Sequence, residues 1–258
     1  KPMYCAQDKS VSSVGTASKQ GQMSPRNMLS NTIGDELRLA SNFNSRVYGI
    51  ALKDRGGIMP AGHSANAAYW FDDSTGNWIS STYYMNNLPL WVSEYNDLRK
   101  PDSCMKLDWN LLYPLSTYHQ STLDDKPYEK PLNHETKRTF PHIYSTQIGK
   151  GYFPIRQSPY GNSLTLDFAK QLIQQEKLGA SGQTDMICIS LSSTDYVGHR
   201  FGPNSIELED MYLRVDLELA RFLQYLDKTV GENNYLLFLS ADHGAPQVPD
   251  FMKENKIP

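Results

Sequence analysis

Two short apolar runs of the sequence are each followed closely by an aspartate and a histidine. The first pair is Asp195 and His199, and the second pair is Asp242 and His243. Short apolar runs that are bounded by polar residues are typical of buried strands. Carboxylate oxygen and imidazole nitrogen are ligands for Zn²⁺ and similar divalent ions. The four residues are therefore candidate metal ligands beyond the ends of two predicted strands.

Both pairs are expected at one edge of a sheet. Ligands of open α/β sheets bind outside the carboxyl ends of the strands, and a long helical crossover returns the second strand parallel to the first. Two metal ions about 4 Å apart stabilise the attacking and leaving oxygens of an in-line displacement, typically at phosphorus. Taken singly, either pair has an ordinary explanation as a loop cap, a surface imidazole or plain turn chemistry. Their recurrence at two strand ends favours the metal site.

A cationic pair, Lys53 and Arg55, follows a third predicted strand over 45–52. Two basic residues this close are ordinarily a solvated charged turn. At an edge where an anionic substrate would bind, they could instead hold a phosphate, with arginine as a bidentate donor and lysine as a point charge. We favour the second interpretation, because the metal candidates are expected at the same edge.

Hydrophobic periodicity predicts an α/β fold with a mainly parallel sheet flanked by helices. We interpret 1–258 as a single domain with a loop-rich insertion at about 60–161, where prolines interrupt any long period. The predicted helices cover 24–40, 89–98, 164–179 and 205–230, and the predicted strands cover 45–52, 69–71, 78–82, 185–191 and 235–239. The strands over 69–71 and 78–82 are expected to form a hairpin, and the stretch between 191 and 205 is expected to be a loop.

Composition excludes several classes of function. The net charge of −3 and the pI near 6.1 do not support binding to nucleic acid or to an anionic membrane surface. We expect no membrane span, because no apolar run approaches the roughly 20 residues that a span requires. The three cysteines show no metal-binding spacing, and they leave the redox compartment undecided.

Four stretches together resemble the alkaline phosphatase superfamily. Leu191–His199 and Ser240–Gly244 are similar to the type I phosphodiesterase/nucleotide pyrophosphatase group. Leu52–Gly56 and Ala65–Asp72 are similar, more narrowly, to the calcium-independent, PafA-type alkaline phosphatases. The resemblance covers nearly the whole chain.

The resemblance implies a zinc-dependent phosphate-ester hydrolase with two metal ions. The first Asp–His pair would ligate one zinc and the second pair would ligate the other. The cationic pair would contact the phosphoryl oxygens, which favours a phosphomonoesterase because diesterase relatives generally lack such a pair. A phosphodiesterase or nucleotide pyrophosphatase is the nearest alternative. Relatives of this kind are mostly periplasmic or secreted, and they act on small phosphate esters.

The same resemblance leads us to expect that this chain lacks part of the catalytic site. Family members have a first metal-binding aspartate and a threonine or serine nucleophile, which forms a covalent phosphoenzyme, and both would precede Lys1. A further metal-binding histidine would follow Pro258. An alternative of another class is thus an inactive fragment that at most binds metal. A truncated sheet could also self-associate through an exposed edge. The remaining histidines are expected to be structural: His63, His119, His134 and His142.

Overall fold

The computed structural model describes residues 4–257, in which five strands form a mixed sheet with the order β1-β4-β3-β2-β5. Strand β2 is parallel to both β3 and β5, whereas β4 is antiparallel to β3 and β1. The predicted α/β class is confirmed, but the sheet is mixed rather than mainly parallel. The strands are β1 (Ser13–Val14), β2 (Val47–Ala51), β3 (Ala67–Asp72), β4 (Asn77–Ser81) and β5 (Met186–Ser190).

Helices follow most of the predicted ranges with shifts of a few residues. Those predicted over 89–98, 164–179 and 205–230 are confirmed as α3, α6 and α8. No helix among residues 4–257 combines the length and apolar character that a bilayer crossing needs. The helices are α1 (Ile33–Ala40), α2 (Asp54–Ala61), α3 (Leu90–Asp97), α4 (Lys100–Cys104), α5 (Phe153–Arg156), α6 (Pro159–Gln175), α7 (Ser192–Phe201), α8 (Ile206–Thr229) and α9 (Pro249–Glu254).

The first helix begins later than its sequence pattern predicts. The prediction of a helix over 24–40 is wrong before residue 33, and the side chain of Leu29 is fully exposed. Thr32 caps the helix by accepting a hydrogen bond from the backbone of Asp35, whose carboxylate accepts one from the backbone of Thr32. This reciprocal capping box starts the helix at Ile33.

The run Tyr235–Leu239 does not form the strand that was predicted. Leu236 and Leu239 are 88% and 78% exposed. Among the described residues β5 pairs only with β2, so its outer edge carries no neighbouring strand. A strand forms only where a neighbour takes up its backbone hydrogen bonds, and this run has no such neighbour among residues 4–257.

The stretch predicted as a loop-rich insertion contributes to the sheet. Strands β3 and β4 lie within 60–161 and form the predicted hairpin. Irregular structure is concentrated between α4 and α5, where short 3₁₀ turns occur at Leu115–Thr117 and Ser145–Gln147. This irregular stretch has its own apolar contacts, because Trp109 and Tyr144 pack in one cluster with Phe201 of α7.

Aromatic side chains hold α6 against the sheet. Phe168 stacks on Trp78 of β4 with ring centroids 4.4 Å apart, and it meets the edges of Tyr69 and Tyr95 at 5.4 and 5.2 Å. All four side chains are buried. Aromatic contacts of this kind each add about 1 kcal/mol beyond the area that they bury.

His142 links the irregular stretch to the start of α8 through a buried ion cluster. Its Nδ1 lies 2.8 Å from Glu135 Oε2, and its Nε2 lies 3.3 Å from Glu207 Oε1. Both ring nitrogens face carboxylates, so both carry protons. Burial alone would lower the pKa of His142, but the two carboxylates outweigh it and raise the pKa to about 9. The expectation of a structural role for His142 agrees with these contacts.

The His142 cluster predicts that stability falls at alkaline pH. The pKa of an unfolded histidine is about 6.5, so this stabilisation is complete below about pH 6.5 and is lost as the pH rises through about 9. The expected loss is on the order of 3 kcal/mol in the free energy of unfolding. Urea unfolding at pH 6 and at pH 9.5 measures it.

A double variant, His142→Gln with Glu207→Gln, should make the unfolding free energy much less dependent on pH over this window, because it removes the titrating imidazole together with one of its two carboxylate partners. His119→Gln is the matched control, since His119 is exposed. An unchanged pH dependence in the double variant would contradict the prediction.

Candidate functional site

The register of the sheet brings two helix starts together. Ala51, at the end of β2, lies opposite Ser190, at the end of β5. Helix α2 begins three residues after Ala51, and α7 begins two residues after Ser190. The side chains that open these helices therefore meet at one edge of the sheet, the carboxyl ends of parallel strands, where ligands bind in α/β folds.

Helix α7 places the first Asp–His pair on one helical face. This stretch was predicted as a loop, and the structure corrects it: Asp195 and His199 lie one turn apart, with Asp195 Oδ1 3.2 Å from His199 Nε2. Residues four apart on a helix are neighbours. The first turn of α7 is anchored to α6, because the backbone N–H of Ser193 donates to Asn162 Oδ1 at 3.2 Å.

His243 reaches the same carboxylate from a distant part of the chain. Its Nε2 lies 3.4 Å from Asp195 Oδ1. Between residues 4 and 257, Asp195, His199 and His243 are the one group of three acidic, histidine or cysteine side chains whose ligand atoms all lie within 4.8 Å of one another. Asp242 is outside this group: its side chain is 90% exposed, with Oδ2 3.8 Å from His243 Nε2.

These three side chains fit a divalent metal ion. One carboxylate oxygen and two imidazole nitrogens converge, which is the donor set of a catalytic zinc that keeps a fourth position open. Burial would raise the pKa of Asp195, but the hydrogen bond and charge of Lys53 outweigh it, so the pKa lies below its usual value. Asp195 is thus ionised at neutral pH, which is the form that binds a metal.

Lys53 connects the candidate metal ligands to the cationic pair. Its ammonium group donates to Asp195 Oδ2, and it lies 4.5 Å from the centre of the Tyr196 ring. Arg55, in the first turn of α2, donates to the hydroxyl of Tyr4 at 3.2 Å. The predicted pair is therefore next to the predicted metal site, although Arg55 contacts none of its three ligands.

A cleft of about 210 Å³ opens beside these residues. Three cations and two carboxylates are among its lining side chains, which leaves a formal excess of one positive charge. Lys53 is also paired with Asp195 outside the lining, so the excess favours a small anion such as a phosphate group once a metal ion offsets the charge of Asp195. The charged lining residues are Lys53, Arg55, Arg156, Asp54 and Asp73.

Two lining residues, Tyr196 and Arg156, were not predicted from the sequence. Tyr196 stands beside Asp195 inside the recognised motif, but tyrosine is neither a usual zinc ligand nor a usual phosphate donor. Arg156 is 40 positions away, and no sequence signal marks it. It is only 7% exposed, with Nε 2.5 Å from Asp73 Oδ1, and it donates to the carbonyl of Phe71 at 2.9 Å.

The fold and the site together define a class of protein. Residues 9–258 match the family described as type I phosphodiesterase / nucleotide pyrophosphatase, and the chain belongs to that family.

Its relatives include alkaline phosphatases. The chain is 55% identical over 258 residues to alkaline phosphatase PhoV of Synechococcus elongatus, covering all of this chain and 47% of PhoV. It is 48% identical over 263 residues to alkaline phosphatase PafA of Elizabethkingia meningoseptica, covering all of this chain and 48% of PafA. The chain therefore spans about half the length of the curated relatives that it matches.

Solved structures of PafA have the same fold. The wild-type crystal structure superimposes with a TM-score of 0.96 at 47% identity, over 99% of this chain and 50% of that one. A PafA variant in which a threonine, an asparagine, a lysine and an arginine are replaced gives a TM-score of 0.94 over the same shares of the two chains. The predicted resemblance to this group is confirmed.

Proposed function

We propose that the complete protein containing this chain is a zinc-dependent hydrolase of small phosphate monoesters. The observation that carries the proposal is the convergence of Asp195, His199 and His243 beside the ammonium group of Lys53. A metal-ligand set and a cation at one sheet edge suit a reaction in which charge develops on phosphoryl oxygens. Membership of a family that includes alkaline phosphatases supports the same reaction.

In this proposal the residues of the chain bind and orient the substrate. Lys53 and Arg55 would hold the non-bridging phosphoryl oxygens and offset their charge in the transition state. Bound zinc would supply Lewis-acid chemistry at the same group. The nucleophile, a threonine or serine by family resemblance, would come from a part of the complete protein outside residues 1–258.

The PafA variant supports the role of the cationic pair. Its replaced lysine and arginine stand two positions apart in the sequence, as Lys53 and Arg55 do. The same variant replaces a threonine, the residue type expected for the nucleophile.

We further propose that Asp242 belongs to a second metal ion. Its carboxylate is exposed but adjacent to His243, so further ligands from outside the chain would complete a neighbouring site. A second ion beside the first would match the two-metal chemistry of phosphoryl transfer. Location in the periplasm or outside the cell is part of the same proposal.

Two alternatives remain distinct from this proposal. A phosphodiesterase or nucleotide pyrophosphatase would use the same metal ligands. It would hydrolyse the diester bis(p-nitrophenyl) phosphate faster than the monoester p-nitrophenyl phosphate. A fragment limited to these 258 residues would at most bind metal, and turnover by residues 1–258 alone would exclude that alternative. Two copies of the chain could also associate through the open edge of β5 under either of these two alternatives.

Lys53→Ala should separate monoester from diester hydrolysis in the complete protein. A monoester dianion carries one more charge than a diester, so loss of the ammonium group should lower kcat/KM for p-nitrophenyl phosphate by about a hundredfold. The rate with bis(p-nitrophenyl) phosphate should change much less. Parallel kinetics on the two substrates measure this ratio.

Lys150→Ala is the control for this substitution, because Lys150 is an exposed lysine outside the cleft. An equal loss on both substrates would count against a phosphomonoesterase.

A further inference from the structure

We infer that Tyr196 is a positioning residue: its ring holds the Lys53 ammonium group in the cleft when a metal ion is bound to Asp195. The inference rests on the proposed function. It concerns a residue that neither binds metal nor touches the phosphoryl group in that proposal.

The contacts of Lys53 are the first step. Its ammonium group contacts a charged group, the carboxylate of Asp195, and an uncharged one, the ring face of Tyr196, 4.5 Å away. Both attract a cation. A metal ion bound by Asp195 would withdraw negative charge from the first contact and would repel the ammonium group. The aromatic ring is unaffected by this competition, because its attraction for a cation comes from the π-electron face.

The second step is that the Tyr196 ring is itself held in place. The edge of its ring faces Phe153 with centroids 6.0 Å apart, and its hydroxyl accepts only a long, weak hydrogen bond from Arg156 Nη1 at 3.5 Å. Arg156 is fixed from behind by Asp73 and by the carbonyl of Phe71. A buried cation that two further acceptors restrain is a rigid support, whereas Lys53 is a flexible four-carbon chain.

The buried arginine adjoins the ring as well. The guanidinium group of Arg156 lies 5.9 Å from the centre of the Tyr196 ring, so cations from β2–α2 and from α5 both adjoin this ring. Removing the ring would take from Lys53 the contact that a bound metal ion does not weaken. A disordered ammonium group contributes less to phosphate binding, because ordering it then costs conformational entropy.

The test compares Tyr196→Phe, Tyr196→Leu and the double variant Lys53→Ala/Tyr196→Leu in the complete zinc-loaded protein. Binding of inorganic phosphate by calorimetry and kcat/KM for p-nitrophenyl phosphate are both measured. Tyr196→Phe keeps the ring and should stay within about threefold of wild type. Tyr196→Leu should weaken phosphate binding and lower kcat/KM by about tenfold, with unchanged zinc content.

The double variant decides whether Tyr196 acts through Lys53. If it does, Tyr196→Leu should add less than about twofold to the loss caused by Lys53→Ala. Additive losses, or loss of zinc in Tyr196→Leu, would overturn the inference. Tyr212→Leu, at an exposed position on α8, controls for the change of residue type. Should Tyr196→Leu fail to fold, Tyr196→Met removes the ring with a longer side chain.

Failure of the proposed function has a different signature. In that case wild-type protein would not hydrolyse the monoester, and Lys53→Ala would leave phosphate binding unchanged. Failure of the inference alone would leave an active, Lys53-dependent enzyme in which Tyr196→Leu is either neutral or additive.

Discussion

Asp195→Asn is expected to remove bound zinc from the complete protein and to lower kcat/KM for p-nitrophenyl phosphate by about a thousandfold. The carboxylate is the centre of the site: Oδ1 faces His199 and His243 at 3.2 and 3.4 Å, and Oδ2 accepts from Lys53. Asparagine keeps the shape of the side chain but offers a neutral oxygen. It would weaken the metal site and remove the ion pair with Lys53 in one step.

Zinc content after dialysis against a chelator and steady-state kinetics are measured on the same preparation. Asp216→Asn is the matched control, because it replaces a carboxylate by an amide in the same way, but at an exposed position on α8. A variant at Asp195 that kept both its zinc and its turnover would refute the metal assignment. Loss of zinc with retained turnover would refute the proposed role of the metal instead.

The sequence predicted which residue types form the candidate site, but it predicted only part of how they are arranged in space. Strand ends followed by Asp and His marked four candidate ligands, of which Asp195, His199 and His243 converge and Asp242 does not. The helix that carries the first two was not predicted, because Asp195 to His199 contains glycine and few apolar residues. Periodicity therefore gave no signal there, and the helix is set instead by its junction with β5 and its contacts with α6.

One predicted element failed because it depends on a partner outside a local window. The run Tyr235–Leu239 has the composition of a buried strand, but composition cannot supply a neighbour, and the run is largely exposed among the described residues. In contrast, the hairpin of β3 and β4 was predicted because its turn and its alternation are local. The contact between Arg156 and Asp73 spans 83 positions, and two charged residues at that separation carry no pairing signal.

Gly49→Ala is the substitution for which we expect the largest loss of stability. Gly49 lies in the middle of β2, where α2 crosses the strand closely: a Cβ atom built on Gly49 would lie 1.9 Å from the carbonyl oxygen of Gly57 and 2.8 Å from its carbonyl carbon. Both are backbone atoms, so no side-chain rotation relieves the clash. Helix α2 would have to move off the sheet, at a cost of about 3 kcal/mol or more in the free energy of unfolding.

The same movement would displace Lys53, which precedes the first turn of α2, so metal-site geometry depends on a glycine that touches no ligand. Urea unfolding measures the loss, and Gly198→Ala is the matched control. A Cβ atom at Gly198 meets only Leu208 side-chain carbons at 3.7 and 3.9 Å, within helix α7. That change should be neutral or should stabilise the protein by up to about 1 kcal/mol, because alanine favours helix. If Gly49→Ala were as well tolerated as Gly198→Ala, the close packing of α2 on β2 would not be what positions Lys53.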